Sequence, residues 1–138
     1  NYTKQYADVR RWGSEAGYCD VLIPQVYFGF ENEVAPFSET VTEWVQTVTC
    51  DSVSLVIGIG THKYGKVDQW AGSGSMEWTT QWDLPVRQAT QVLETDGTDG
   101  LAIYDYDTTF LPESNAERMA QQVEQLGALL QGMPADPL

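Results

Sequence analysis

Apolar positions along this chain fall into two alternating patterns, recurrences at three to four residues and short unbroken runs. Tyr6, Val9 and Trp12 recur at helical spacing, with Gly17 near the stop, and predict a leading helix. The run Val21–Tyr27 then reads as a strand, followed by the loop "FGFENEVAP". Ser38 is the expected N-cap of a helix over Glu39–Val48, whose apolar face is Val41, Trp44, Val45 and Val48. "SLVIGIG" predicts a second strand over Ser54–Ile59, and a long loop bearing glycines and tryptophans follows it. Leu84–Leu93 reads as a further helix, with Pro85 accommodated in its first turn. "GLAIYDY" supplies a third strand, Leu101–Tyr104 or slightly longer. Ser114 is expected to cap a last helix running to about Leu130, with Leu126, Leu129 and Leu130 on its apolar side and Gly132 and Pro134 marking its end.

Strands alternating with helices imply right-handed crossovers and a parallel sheet. The strands are apolar throughout rather than alternating, as expected when both faces are covered. Three parallel strands alone leave two bare edges and little core, and a flavodoxin-like sheet uses about five. The expected architecture is therefore α/β: a parallel-sheet fragment, three βα units plus a leading helix, of a (β/α)8 TIM barrel. Such barrels take about 250 residues, so residues 1–138 read as one domain of about half that size.

With 42% hydrophobic and 20% charged residues, the composition is that of a globular chain. A net charge of −13 repels phosphate backbones and anionic headgroups, which argues against nucleic-acid and membrane-surface binding. No apolar run approaches the roughly 18 residues of a membrane span. The opening "NYTKQYADVRRW" reads as a cut into a longer chain, which would hide any targeting segment. Cys19 and Cys50 are the only cysteines, each just before a predicted strand; two free thiols are the expectation, with a disulfide geometrically open. No CxxC, Cys/His cluster, HExxH, P-loop, GxGxxG or nucleophile elbow occurs, so neither a metal nor a cofactor is expected.

In parallel α/β folds ligands meet the C-terminal ends of the strands. That rule selects Gln25, Tyr27, Glu31 and Glu33 after the first strand. It selects Thr61, His62, Lys63 and Tyr64 after the second, with Trp70, Trp78 and Trp82 beyond, and Asp105, Tyr106 and Asp107 after the third. Aromatic faces with amides and carboxylates on one rim suit a carbohydrate, since rings stack on sugars and polar groups read hydroxyls. Each residue also has a plainer role. The tryptophans can hold down a long loop, the single histidine can be structural, and Asp105 can start a turn.

The segments "YADVRRW", "YCDVLIPQVYFGFEN", "LVIGIGTHKYG", "LPVRQ" and "GLAIYDY", in this order, resemble the C-terminal half of the glycosyl hydrolase-like family 10 barrel, which includes bacterial envelope enzymes acting on cell-wall glycan. The most specific element is D-x-x-x-P-Q-x-Y, here Asp20, Pro24, Gln25 and Tyr27. Gly58 and Tyr64 match the seventh-strand segment, although the Lys that usually follows the Tyr is Gly65. Trp70 matches the Trp of the next loop, and Arg87 and Gln88 match its helix. The eighth strand departs from the pattern, with Tyr104-Asp105-Tyr106 where it usually reads F-S-Y. Family 18 chitinases offer a more distant likeness through a Gln/Met-x-Tyr strand end.

The resemblance implies strands six to eight of a barrel, with Gln25, Tyr27, Tyr64, Trp70, Asp105 and Tyr106 lining a polysaccharide site. It implies an extracellular or cell-envelope location. Glycoside hydrolysis generally needs two carboxylates, or one with substrate assistance, and the resemblance puts the acid on strand four or five, upstream of Asn1. Asp105 is a weak candidate for it here, so the isolated chain is expected to be inactive. That reading makes the missing barrel half the expected partner; the competing reading is a non-catalytic carbohydrate-binding or interaction module that oligomerises through its open sheet edges, with a homodimer expected.

Overall fold

The structure, a computed structural model, describes residues 6–131; the expected helix stop at Gly132 and Pro134 lies outside them. Three parallel strands, β1 (Val21–Leu22), β2 (Ser54–Gly60) and β3 (Gly100–Tyr104), form one sheet in the order β1-β2-β3. Among the described residues six α-helices accompany them: α1 (Val9–Ser14), α2 (Phe37–Thr47), the short α3 (Glu77–Thr80), α4 (Leu84–Glu94), the short α5 (Tyr106–Phe110) and α6 (Ala116–Gln131). This is an α/β chain, consistent with a fragment of a TIM barrel.

The first strand is shorter than the apolar run suggested, and Pro24 is the reason. Val21 pairs with Ser54 and Leu22 with Leu55; Pro24 then offers no N–H to the ladder. The register nevertheless survives, because Gln25 bridges Gly58 and the Val26 N–H donates to the Gly58 carbonyl at 2.8 Å. Gly58 allows this approach: a Cβ there would stand 2.8 Å from the Pro24 carbonyl oxygen.

One face of the sheet is sealed. Val26, Leu55, Ile57 and Ile59 bury against Phe37 and Val41 of α2, Ala89 and Val92 of α4, and Leu126 of α6. The other face, carrying Ile23, Gln25, Val56, Ala102 and Tyr104, is uncovered by any described residue; Ile23 is 54% exposed and Tyr104 51%. Of the two faces expected to be covered, only one is covered among the described residues. Val26, on the opposite side of the pleat from Ile23, does the filling. In a barrel this open face would look inward, where side chains from alternate strands stack in layers.

Helix starts also differ from the pattern. Tyr6 is exposed and precedes α1, which Asp8 caps by accepting the Arg11 N–H. α2 begins at Phe37 after Pro36, and Ser38 donates to Gln91 Oε1 of α4 at 2.8 Å instead of capping. α6 begins at Ala116, one residue later than a Ser114 cap would start it, with the Asn115 carbonyl accepting the Met119 N–H. Cys19 and Cys50 are both free.

Candidate functional site

All three strands run the same way, so the residues leaving β1, β2 and β3 share one edge of the sheet. The pairing sets them in layers. Gln25, Gly58 and Ala102 form one row, and Gly60 pairs with Tyr104 in the next. With two small residues beside it, Gln25 is left exposed on the open face. Gly60 has no side chain to separate its neighbours, and the rings of Tyr27 and Tyr104 meet over it, centroids 5.5 Å apart and planes at 21°. Adjacent strands stand about 4.8 Å apart, so two side chains that close from non-adjacent strands must lean across the glycine.

His62 closes this cluster from the loop after β2. Its ring meets Tyr27 edge-on at 5.1 Å and Tyr104 at 5.4 Å. Burial pushes the imidazole below its ordinary range, and Lys63 and Lys66 add to that, while the Tyr104 carbonyl and Asp105 oppose it. The Tyr27 phenol is held above its ordinary value, first by burial and then by Tyr104 and Asp105, so it stays a neutral hydroxyl able to donate and accept. On its other side His62 helps wall a cleft of about 430 Å³, shared with Tyr64, Lys66, Thr108 and Glu113.

The remaining sequence-selected residues separate into structural and free ones. The Tyr64 hydroxyl donates to the Trp82 carbonyl at 2.8 Å, and its ring packs on Trp82. Trp82 also carries the Arg118 guanidinium 3.9 Å above its ring, and Trp78 is buried, so these two tryptophans hold the loop down. Trp70 is the free one, 78% exposed, its backbone N–H held by Asp68, which Lys63 pairs at 2.6 Å. Tyr106 is exposed and leans on Phe110, not on Tyr104.

Asp105 caps α5. Its Oδ1 accepts the Thr108 N–H at 2.9 Å and the Thr108 hydroxyl at 2.8 Å. Those bonds hold the carboxyl below its ordinary range, the opposite of what a general acid needs. Glu77 is raised, chiefly by burial and against the pull of its two amide donors. Yet it is 2% exposed, with its oxygens accepting from the Phe30 and Glu31 N–H groups at 3.0 and 2.9 Å. It is a clamp between two strand-exit loops.

Gly60 and Glu77 were not picked out in the sequence, where His62 was selected at the β2 exit with a structural role as its plainer reading. The alternate glycines of "GIGTH" are the signal that could have marked a groove ending at His62; Glu77 has no such signal. Among the described residues, no three His, Cys, Asp or Glu side chains gather as a metal site, and no helix is long and apolar enough to cross a membrane.

No family model matches the chain. Over 88 residues, 60% of this chain, it is 35% identical to the glycosyl hydrolase DigH of Escherichia coli (strain K12), and equally to proteins of that name from Escherichia coli O157:H7 and Shigella flexneri. The matched part is 20% of those proteins, so the chain spans about a fifth of the length of the curated relatives it matches. That similarity supports a glycosyl hydrolase-like relationship.

Proposed function

We propose that this chain is the C-terminal half of a glycoside-hydrolase-like (β/α)8 barrel, contributing strands six to eight and the sugar-binding part of the barrel mouth. The observation that carries the reading is the paired Tyr27 and Tyr104 rings in the row above an exposed Gln25, at the C-terminal edge of a parallel sheet. Stacked phenols offer a flat apolar face to a sugar ring, and the Gln25 amide both donates and accepts to hydroxyls. Trp70 and Tyr106 are outlying aromatic surfaces suited to further sugar units of a polysaccharide. Bacterial cell-wall glycan is the substrate class proposed, in the envelope or outside the cell, as the resemblance carried by the strand-end motifs implies; the name of the relatives supports glycosyl hydrolysis alone.

The catalytic acid is proposed to come from outside the described residues. Asp105 is held ionised as a helix cap, and Glu77 is sealed against backbone amides. Titrating the full chain with purified cell-wall glycan strands and a chitin hexasaccharide, while following Tyr27 and Tyr104 resonances, tests the reading. Binding without turnover is the expected result. Resonances indifferent to every glycan would refute the sugar site, and full hydrolysis by this chain alone would refute the external acid.

A second reading, a non-catalytic carbohydrate-binding module that assembles through its open edges, is favoured by the uncovered sheet face and the exposed Ile23. It requires a stable dimer that binds glycan, which size-exclusion chromatography with light scattering would detect.

A further inference from the structure

His62 occupies an unusual position for the only histidine of the chain. Its Nδ1 is buried without a hydrogen-bond partner among the described residues, and apart from the Tyr104 carbonyl the ring meets aromatic neighbours. The shape is specific. The imidazole meets two phenol rings edge-on, at interplanar angles of 74° and 82°, while those rings lie nearly parallel to each other. Gly60 makes the space: a Cβ there would stand 2.7 Å from His62 Cε1, 2.9 Å from Nδ1 and 3.1 Å from Tyr27 Cδ1. Three side chains from three separate segments therefore fix one another over one missing side chain.

We propose that His62 is a positioning residue for the sugar platform, a wedge that sets the tilt and spacing at which Tyr27 and Tyr104 meet a glycan. The inference rests on the sugar reading of this rim and adds a residue to it that touches the platform and need not touch the sugar. Edge-to-face geometry is preferred because the positive ring edge meets the negative ring face. An imidazole in that slot touches both phenols at once and fixes one against the other. The wedge also carries a pH dependence. The groups facing it are Lys63 and Lys66 from its own loop, Tyr27 from the β1 exit, Tyr104 and Asp105 from the β3 exit, and Tyr64, Asp107 and Glu113 across the cleft. Burial and the two lysines favour the neutral ring, so acid must charge it against its surroundings. The platform should hold at neutral pH and loosen as pH falls below the histidine's ordinary value of 6.5.

The test compares the wild-type chain with His62→Ala, His62→Phe and Gly60→Ala. Two readouts are taken from neutral pH down to about pH 5: the ring resonances of Tyr27 and Tyr104, assigned by single Phe substitutions, and affinity for cell-wall glycan strands. His62→Ala should shift both tyrosines and weaken glycan binding about tenfold, as expected from losing two ring contacts. His62→Phe, which keeps an edge-on ring and cannot titrate, should restore most of that affinity with a flat pH profile. Gly60→Ala should reproduce the His62→Ala shifts by expelling the wedge, which covers the case of a His62→Ala chain that fails to fold. Tyrosine resonances unmoved by both His62→Ala and Gly60→Ala would overturn the proposal, as would an acid-dependent loss of binding that persists in His62→Phe. A wild-type chain that ignores every glycan refutes the sugar reading instead, and the ring resonances still decide whether His62 is the wedge.

Discussion

Replacing Glu77 by Gln asks how the two longest loops at the rim are held. Glu77 presents one oxygen to the Phe30 N–H and the other to the Glu31 N–H, at 3.0 and 2.9 Å, with its side chain almost fully buried. A glutamine keeps the shape but has one acceptor; its NH2 would face the second amide donor. That leaves a buried N–H unsatisfied, at about 1–3 kcal/mol. The loss is partly offset because the variant no longer buries a charge, a cost visible in the raised carboxyl. The net expectation is about 1–2 kcal/mol at neutral pH, a fall of roughly 3–6 °C in melting temperature for a chain of this size. The sign of the pH dependence is fixed. A carboxyl raised in the folded state contributes most below its ordinary value of 4.5 and loses that contribution as pH rises through the folded value. The gap between wild type and Glu77→Gln should therefore be widest in acid and narrow toward neutrality. Thermal melts monitored by circular dichroism across that range measure it. A gap that widens with rising pH, or a variant as stable as wild type throughout, would refute the clamp.

Tyr64→Phe should cost about 1 kcal/mol, the worth of one hydrogen bond to the Trp82 carbonyl; an unchanged melting temperature would show the hydroxyl uncommitted. Asp105→Ala should melt below wild type at neutral pH. Because the Asp105 carboxyl is depressed by Thr108, its contribution is present above 3.8 and disappears as pH falls through the folded value, so the two melting curves should converge in acid. Trp70→Ala, at an exposed ring, should leave the melting temperature within the roughly 0.5 kcal/mol of an ordinary surface change. It should weaken binding of long glycan strands about fivefold, the scale of one lost ring contact, as read by titration calorimetry.

The helices were legible because their period is local. Leu84–Leu93 became Leu84–Glu94, and Pro85 sits in the first turn as its fixed φ permits. The strand-exit edge was legible for a similar reason, since parallel topology alone assigns one end of every strand to ligands. The misses are long-range. Val21–Tyr27 looked continuous because apolar content says nothing about donors, and Pro24 withholds one. Ser38 has the right chemistry for a cap, yet α4 passes close enough for Gln91 to take its hydroxyl. Trp70, Trp78 and Trp82 are alike in sequence; only the loop's folding exposes the first and buries the second. Glu77 was hidden because its partners are backbone amides far away in the chain, which no side-chain pattern encodes.

What the rim is prepared for follows from where its hydrogen bonds go. Thr61 shares its hydroxyl with Thr108 and Thr109, Asn32 caps the turn at Val34 and Ala35, and Asp68 is held by Lys63. Glu77 and Asp105 are likewise engaged. The backbone of the mouth is thus ordered before any ligand arrives, and a sugar meeting Tyr27 and Tyr104 would not have to organise the loops that carry them, a cost that otherwise subtracts from affinity. The same engagement disqualifies Asp105 and Glu77 for chemistry: a general acid has to be raised, reachable and free to give its proton, and each lacks at least one of these. Binding and turnover are therefore separable in the proposed barrel. In that proposed barrel, an acid supplied from another segment should add bond cleavage while leaving unchanged the contribution to affinity proposed for the tyrosine platform.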